Sequence, residues 1–248
     1  MAKQISFESQ AARKRIVMRP YYQQGGISIY HGDCREVIPT LGLEQVEMVL
    51  TDAPYSERTH AGARTNRIDQ RARPFIDFDS ITVDELRDIF SLCASNLTGW
   101  FVSFVDWRHV AQLEQVPPDG LRFVRFGIWD KPNGTPQLSG DRPSMGWEAI
   151  AVLHSTGKRM RWHGGGRRAV WSCLREPQNS HRTQKPLSLV KQLAALFTSP
   201  GDLILDPFMG SGTTLRAAKD IGCRAIGIEI NERNCAIAAS RLCQGVLF

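Results

Sequence analysis

The stretch Leu203 to Ile230, LILDPFMGSGTTLRAAKDIGCRAIGIEI, constrains the fold of this chain more than any other. A short apolar run, Leu203 to Leu205, is broken by Gly210 and Gly212, after which Thr213 to Ile221 can continue as a helix. The pattern reads as strand, glycine turn, helix and second strand, half of a nucleotide-binding βαβ unit. Glycine lets the backbone come close to a ligand and the helix start offers unpaired N–H groups. Glu229 ends the second strand roughly 20 residues on, where a carboxylate can hold ribose hydroxyls. The expected ligand therefore carries an adenosine. ATP is disfavoured, because a Walker loop needs a Lys directly before its Ser or Thr, and Gly212 is followed by Thr213 and Thr214. A dinucleotide is disfavoured too, since its third glycine would stand where Leu215 is. Taken alone, a G-x-G fits a structural turn as well as a cofactor loop.

The longer string DPFMGSGTT, Asp206 to Thr214, resembles the S-adenosylmethionine loop of the amino-group DNA methyltransferases, and three further strings fall in with it. DAPY, Asp52 to Tyr55, follows the apolar run Val46 to Leu50 and matches the family's catalytic pattern of Asp, Asn or Ser, two prolines and an aromatic, with Ala53 in place of the first proline. YHGDC, Tyr30 to Cys34, precedes DAPY, and HRTQKP, His181 to Pro186, precedes the cofactor stretch. Catalytic motif first and cofactor loop last is the permuted order of the beta group, and the resemblance covers about residues 20 to 245. It implies an α/β, Rossmann-like S-adenosylmethionine-dependent methyltransferase fold. The implied sheet has seven strands, near residues 203, 225, 27, 47, 100, 123 and 148, mostly parallel with one antiparallel strand and with helices on both faces.

The resemblance also implies S-adenosyl-L-methionine as cofactor, held by Asp33, Cys34, Thr183, Lys185, Asp206, Pro207, Phe208, Gly210, Ser211, Gly212, Thr213 and Glu229. Within that set, Thr183 and Lys185 are expected at the methionine carboxylate and Asp206 at the methionine amino group. Asp33 is expected either at the adenine edge or as an ordinary cap of the following helix.

The implied chemistry explains the catalytic residues Asp52, Ala53, Pro54 and Tyr55. An exocyclic amine conjugated to a base ring is a poor nucleophile, because its lone pair is delocalised. Acceptors that hold its hydrogens favour the localised form, a task for the Asp52 carboxylate and the carbonyl of Ala53 or Pro54, while Tyr55 stacks on a base flipped out of the duplex. Asp in the first position resembles the adenine enzymes more than the cytosine enzymes, which often have Ser there. The expected function is a site-specific or relaxed-specificity DNA adenine methyltransferase. The alternatives are the same reaction on the cytosine 4-amino group, an RNA or protein glutamine methyltransferase, and a non-catalytic DNA-binding protein.

Composition bears on partners. The net charge is +6, with 24 Arg against 7 Lys, and the planar guanidinium fork suits phosphates and guanine edges. Arg58, Arg64, Arg67, Arg71 and Arg73 follow DAPY and are expected to clamp the phosphates of double-stranded DNA. Lys158, Arg159, Arg161, Arg167 and Arg168 form a second cluster, expected to read base edges, with Trp162 and Trp171 either stacking on bases or anchoring a hairpin. Two solvated loops are the plainer alternative. The six cysteines never form C-x-x-C pairs, so neither a metal site nor a disulfide framework is expected. A polar start and no long apolar span point to a cytoplasmic protein without membrane contact. The expected organisation is a loose arm over 1–20 and one catalytic domain over 21–248, with DNA-contacting insertions at about 56–75 and 154–179. A homodimer and a cognate restriction enzyme are both compatible with the resemblance.

Overall fold

The computed structural model of the chain describes residues 18–43, 45–54, 81–176 and 184–243. Nine strands are present among them: β1 Tyr22–Gln24, β2 Ile27–His31, β3 Val46–Asp52, β4 Leu97–Val105, β5 Leu121–Asp130, β6 Trp147–Ser155, β7 Val170–Ser172, β8 Leu203–Asp206 and β9 Arg224–Glu229. They form one sheet in the order β1-β2-β9-β8-β3-β4-β6-β5-β7. The chain from β2 to β4 is parallel throughout, and β6 runs antiparallel between β4 and β5. These are the seven expected strands with their single reversed member. The expectation of seven is corrected only at the edges, where β1 pairs antiparallel with β2 and β7 pairs parallel with β5. Each added strand has three residues, too few to show a hydrophobic period.

The alternation along β3 shows why the sheet is covered on both sides. Met48 and Leu50 enter one core with Leu189, Leu193 and Leu215; Val46 and Val49 enter the other with Leu86, Phe90 and Leu113. The first core is roofed by α4 Leu187–Phe197, α5 Thr213–Asp220 and α6 Glu232–Cys243, and the second by α1 Cys34–Val37, α2 Val83–Ala94 and α3 Trp107–Gln115. A strand buried on both faces reads as a continuous apolar run, as Val46 to Leu50 does. The start of α2 is a capping box: Glu85 N–H donates to Thr82 Oγ1 at 3.2 Å and Thr82 N–H to Glu85 Oε2 at 2.9 Å. Among the described residues no helix is long and apolar enough to cross a membrane.

The register creates a notch. Asp206, the last residue of β8, pairs with Gly227, so β9 continues two residues further to Glu229; Leu205 pairs with Val49, so β3 likewise continues past β8 to Asp52. β8 therefore stops about two residues, some 6–7 Å, short of both neighbours. Open α/β sheets bind ligands in such crevices at the carboxyl ends of their strands.

Candidate active site

Three acidic residues surround the notch, one from each strand. Asp206 is buried at its base, where Oδ1 accepts from Thr51 Oγ1 at 2.6 Å and from Phe208 N–H at 3.1 Å. Burial pushes its carboxyl up to about 6; the hydrogen bonds from Thr51, Thr214 and Phe208 work against that rise, and the charge of Asp52 adds to it. Thr51 immediately precedes Asp52, so one hydrogen bond ties the catalytic strand to the glycine loop.

On the second wall, Glu229 is buried, with Oε2 accepting from Gly210 N–H at 3.0 Å and Oε1 from Asn231 N–H at 2.8 Å. A carboxylate oxygen has further lone-pair sites, so this carboxylate is fixed in place and can still accept from a ligand hydroxyl. The loop between them is made by two glycines in the left-handed region. Gly210 has φ +51 and no atom within 4 Å of where a Cβ would stand, whereas a Cβ on Gly212, at φ +80, would lie 2.7 Å from that of Ala238. The close helix–strand approach that a third loop glycine would give is supplied by the strand instead. At Gly227 a Cβ would lie 2.7 Å from Leu215 Cδ1 and 2.5 Å from Met209 Sδ.

Sequence reasoning missed Arg241 of α6, whose Nη1 donates to Ser211 O at 2.7 Å, Ser211 Oγ at 3.1 Å and Thr213 Oγ1 at 3.5 Å. Nothing in a lone Arg on an amphipathic helix marks it as the brace of a loop thirty residues away. Pro207 and Thr213 are buried in the same loop, and Phe208 is half-buried.

The third wall holds Asp52, 31% exposed, and its Oδ2 accepts from Lys185 Nζ at 2.5 Å. Ala53 is buried, with its N–H donating to Phe104 O at 3.3 Å, and Pro54 follows half-buried. The Lys185 side chain is 7% exposed and also lies 3.3 Å from Glu148 Oε2, with its ammonium 5.0 Å from the centre of the Phe104 ring. Burial opposes the charge of Lys185, but the carboxylates of Asp52 and Glu148 outweigh it and hold the ammonium above its usual range. Lys185, expected at a cofactor carboxylate, sits between two protein carboxylates.

Asp33 is the cap of α1, accepting from Arg35 N–H at 2.8 Å and pairing with the Arg35 guanidinium, which holds its carboxyl below the usual range. Cys34 is buried against the second core, and burial pushes its thiol up to about 12. Tyr55, Thr183, Arg58, Arg64, Arg67, Arg71 and Arg73 lie outside the described residues, as do 1–17 of the expected arm and all of 56–75.

The second basic cluster is not beside Asp52. Arg161 pairs with Asp202 at 3.3 Å, and its carbonyl accepts from Trp100 Nε1. Asp202 precedes β8 by one residue and stands six residues of strand below the level of Asp52, about 20 Å away. Lys158, Arg159 and Arg161 follow the end of the antiparallel strand β6 and so fall at the amino ends of the parallel strands. Arg167 and Arg168 lie just before β7, separated from β3 by β4, β6 and β5. Both tryptophans serve as anchors: Trp162 donates to Gly165 O at 2.7 Å and packs 4.9 Å from the Phe197 ring, and Trp171 is buried over Gly127. At the end of the sheet that carries Asp52 stand the loop 131–146, with exposed Arg142, and the exposed Trp107 with the Arg108 guanidinium 4.8 Å over its ring.

Comparison with known proteins agrees with this geometry. The family model N6_N4_Mtase, described as DNA methylase, matches residues 46–240. The chain is 27% identical to the type II methyltransferase M.HinfI of Haemophilus influenzae, over 87% of this chain and 68% of that protein. The structure of the M1.HpyAVI complex with SAM superposes with a TM-score of 0.67 at 24% identity, covering 87% of this chain and 99% of that one. The cytosine-N4-specific PvuII DNA methyltransferase superposes with a TM-score of 0.70 at 17% identity, covering 92% and 90%.

Proposed function

We propose, from the premise that the chain belongs to the DNA methylase family of N6-adenine and N4-cytosine enzymes, that it methylates the 6-amino group of an adenine flipped out of DNA. When bound, S-adenosylmethionine supplies a methyl group activated on a sulfonium. The notch fits it: Glu229 would hold the ribose, the backbone at Gly210 has room for close approach, and the buried Asp206 would face the methionine amino group. Asp52 would accept from the target amine and favour its localised form, and the carbonyl of Ala53 or Pro54 would take the second hydrogen. Such a site works mainly by aiming the amine.

The observation that carries the choice of adenine is the Asp at position 52, fixed at a strand end where cytosine enzymes often have Ser. Purified protein incubated with DNA and S-adenosylmethionine, followed by nucleoside digestion and mass spectrometry, should yield N6-methyladenine. N4-methylcytosine as the sole product would replace adenine by cytosine in this reading, the outcome favoured by the likeness to the PvuII enzyme.

The two loop glycines separate binding from folding. Gly210→Ala should cost about 1–2 kcal/mol for the left-handed backbone and weaken S-adenosylmethionine binding, because its new methyl enters the space that the ligand needs. Gly212→Ala meets Ala238 as well, and its thermal midpoint should fall further. Calorimetric titration beside thermal melts checks this, and unchanged affinity in Gly210→Ala would remove that residue from the site.

For DNA, the reading puts the duplex against the end of the sheet that carries Asp52, so Arg142 rather than Arg159 contacts phosphate. Arg142→Ala should lower the slope of log affinity against log salt by about one phosphate contact. Arg159→Ala should leave that slope as it is; the reverse pattern would place the duplex at the other end.

A further inference from the structure

The ion pair at Asp52 continues beyond Lys185. Glu148 Oε2 lies 3.3 Å from Lys185 Nζ, and its other oxygen, Oε1, accepts from Lys131 Nζ at 2.5 Å. The four residues alternate in sign, Lys131, Glu148, Lys185 and Asp52, and come from β5's end, the start of β6, the segment before α4 and the end of β3. Their side chains are 13%, 23%, 7% and 31% exposed, so the chain runs from one rim through a buried ammonium to the notch. Lys185 carries its ammonium on a flexible four-carbon stem and would sample several positions if Asp52 alone held it. Glu148 removes that freedom by taking the other side of the ammonium, and the Phe104 ring supports it at 5.0 Å.

We propose that Glu148 is a positioning residue for methyl transfer, acting through Lys185 to fix the Asp52 carboxylate at the angle the target amine requires; this rests on the reading of Asp52 given above. Lys131 and Trp147 bracket the loop 131–146, with Lys131 N–H donating to Gly146 O at 2.8 Å. On that reading the loop is fastened at its base to the Asp52 carboxylate, and a shift of its stem on engaging a target reaches Asp52 through three ion pairs, Lys131–Glu148, Glu148–Lys185 and Lys185–Asp52.

The test is steady-state kinetics on Glu148→Gln, Lys185→Met, their double variant and Asp52→Ala. Glu148→Gln keeps the shape and removes the charge, so kcat should fall about ten- to hundredfold while KM for S-adenosylmethionine stays unchanged. Because Glu148 acts through Lys185, adding Glu148→Gln to Lys185→Met should cause no further loss. Multiplicative losses in the double variant, or a rise in cofactor KM parallel to the fall in kcat, would overturn the proposal. Should Glu148→Gln fail to fold, Glu148→Asp keeps the charge but withdraws it by one carbon. A native melt with reduced kcat then supports the role, and a native kcat refutes it. If Asp52→Ala is inactive while Glu148→Gln is fully active, only the role of Glu148 falls; if Asp52→Ala turns over normally, the reading of the site falls with it.

Discussion

Asp52→Ala should abolish methyl transfer while leaving S-adenosylmethionine bound. The carboxylate stands at the end of β3, two residues beyond the level of Asp206, and is the most exposed of the three acidic groups around the notch. It has no part in the glycine loop or in the wall that Glu229 builds, so cofactor affinity should change little. The rate should fall about 100- to 1000-fold, the loss typical of one preorganised polar group aimed at the reacting centre. Removing Asp52 also leaves the buried Lys185 with fewer counter-charges, which costs stability as well as rate. Asp52→Asn keeps the volume and one acceptor oxygen and separates the two effects: its melt should stay closer to the parent's while its turnover remains low. Calorimetry with S-adenosylmethionine and transfer of a radiolabelled methyl to DNA measure both, and near-normal turnover in Asp52→Ala would sink the assignment.

That prediction joins what could be read in the sequence with what could not. Leu203 to Ile230 and Val46 to Asp52 declare their strands, loop and helix by composition alone, because buried parallel strands are apolar throughout and a left-handed turn requires glycine. That Asp52 and Asp206 end neighbouring strands cannot be read from sequence spacing. Hydrogen bonding confirms it in the Thr51–Asp206 contact, which spans 155 positions of sequence. Lys185 was visible as part of the HRTQKP string but its partner was not, since two charges 133 positions apart carry no shared periodicity.

The second basic cluster lies away from Asp52 for a geometric reason. β6 runs against its neighbours, so the chain leaves the catalytic end at Trp147 and emerges at the opposite end at Ser155. Charge and tryptophan content looked like a nucleic-acid surface, but composition does not record which end of a sheet a loop occupies. The loop 131–146 lies at the end that carries Asp52 because it precedes the same reversed strand.

The strongest pH dependence is expected at Asp206. Its carboxyl is fully buried and titrates at about 6 instead of 3.8, so holding it ionised costs on the order of 3 kcal/mol. An acid whose folded-state value is raised keeps its proton more tightly when folded. Its contribution therefore turns unfavourable as pH rises from about 3.8 to about 6, reaches its full cost above that, and is absent below the unfolded value. A cation delivered beside it reverses the balance by favouring the carboxylate. S-adenosylmethionine affinity should therefore strengthen as pH rises from about 5 to about 7, with proton release on binding. Asp206→Asn removes the titration but can still accept from Thr51 and Phe208 through its amide oxygen. The ligand-free variant should melt higher than the parent at neutral pH, lose that advantage near pH 4, and bind the cofactor weakly with no pH dependence. Calorimetry in buffers of different ionisation enthalpy counts the protons directly. A parent affinity that stays flat across that range would mean that no cationic group of the cofactor reaches Asp206, and would leave it as a structural acceptor that shapes the loop.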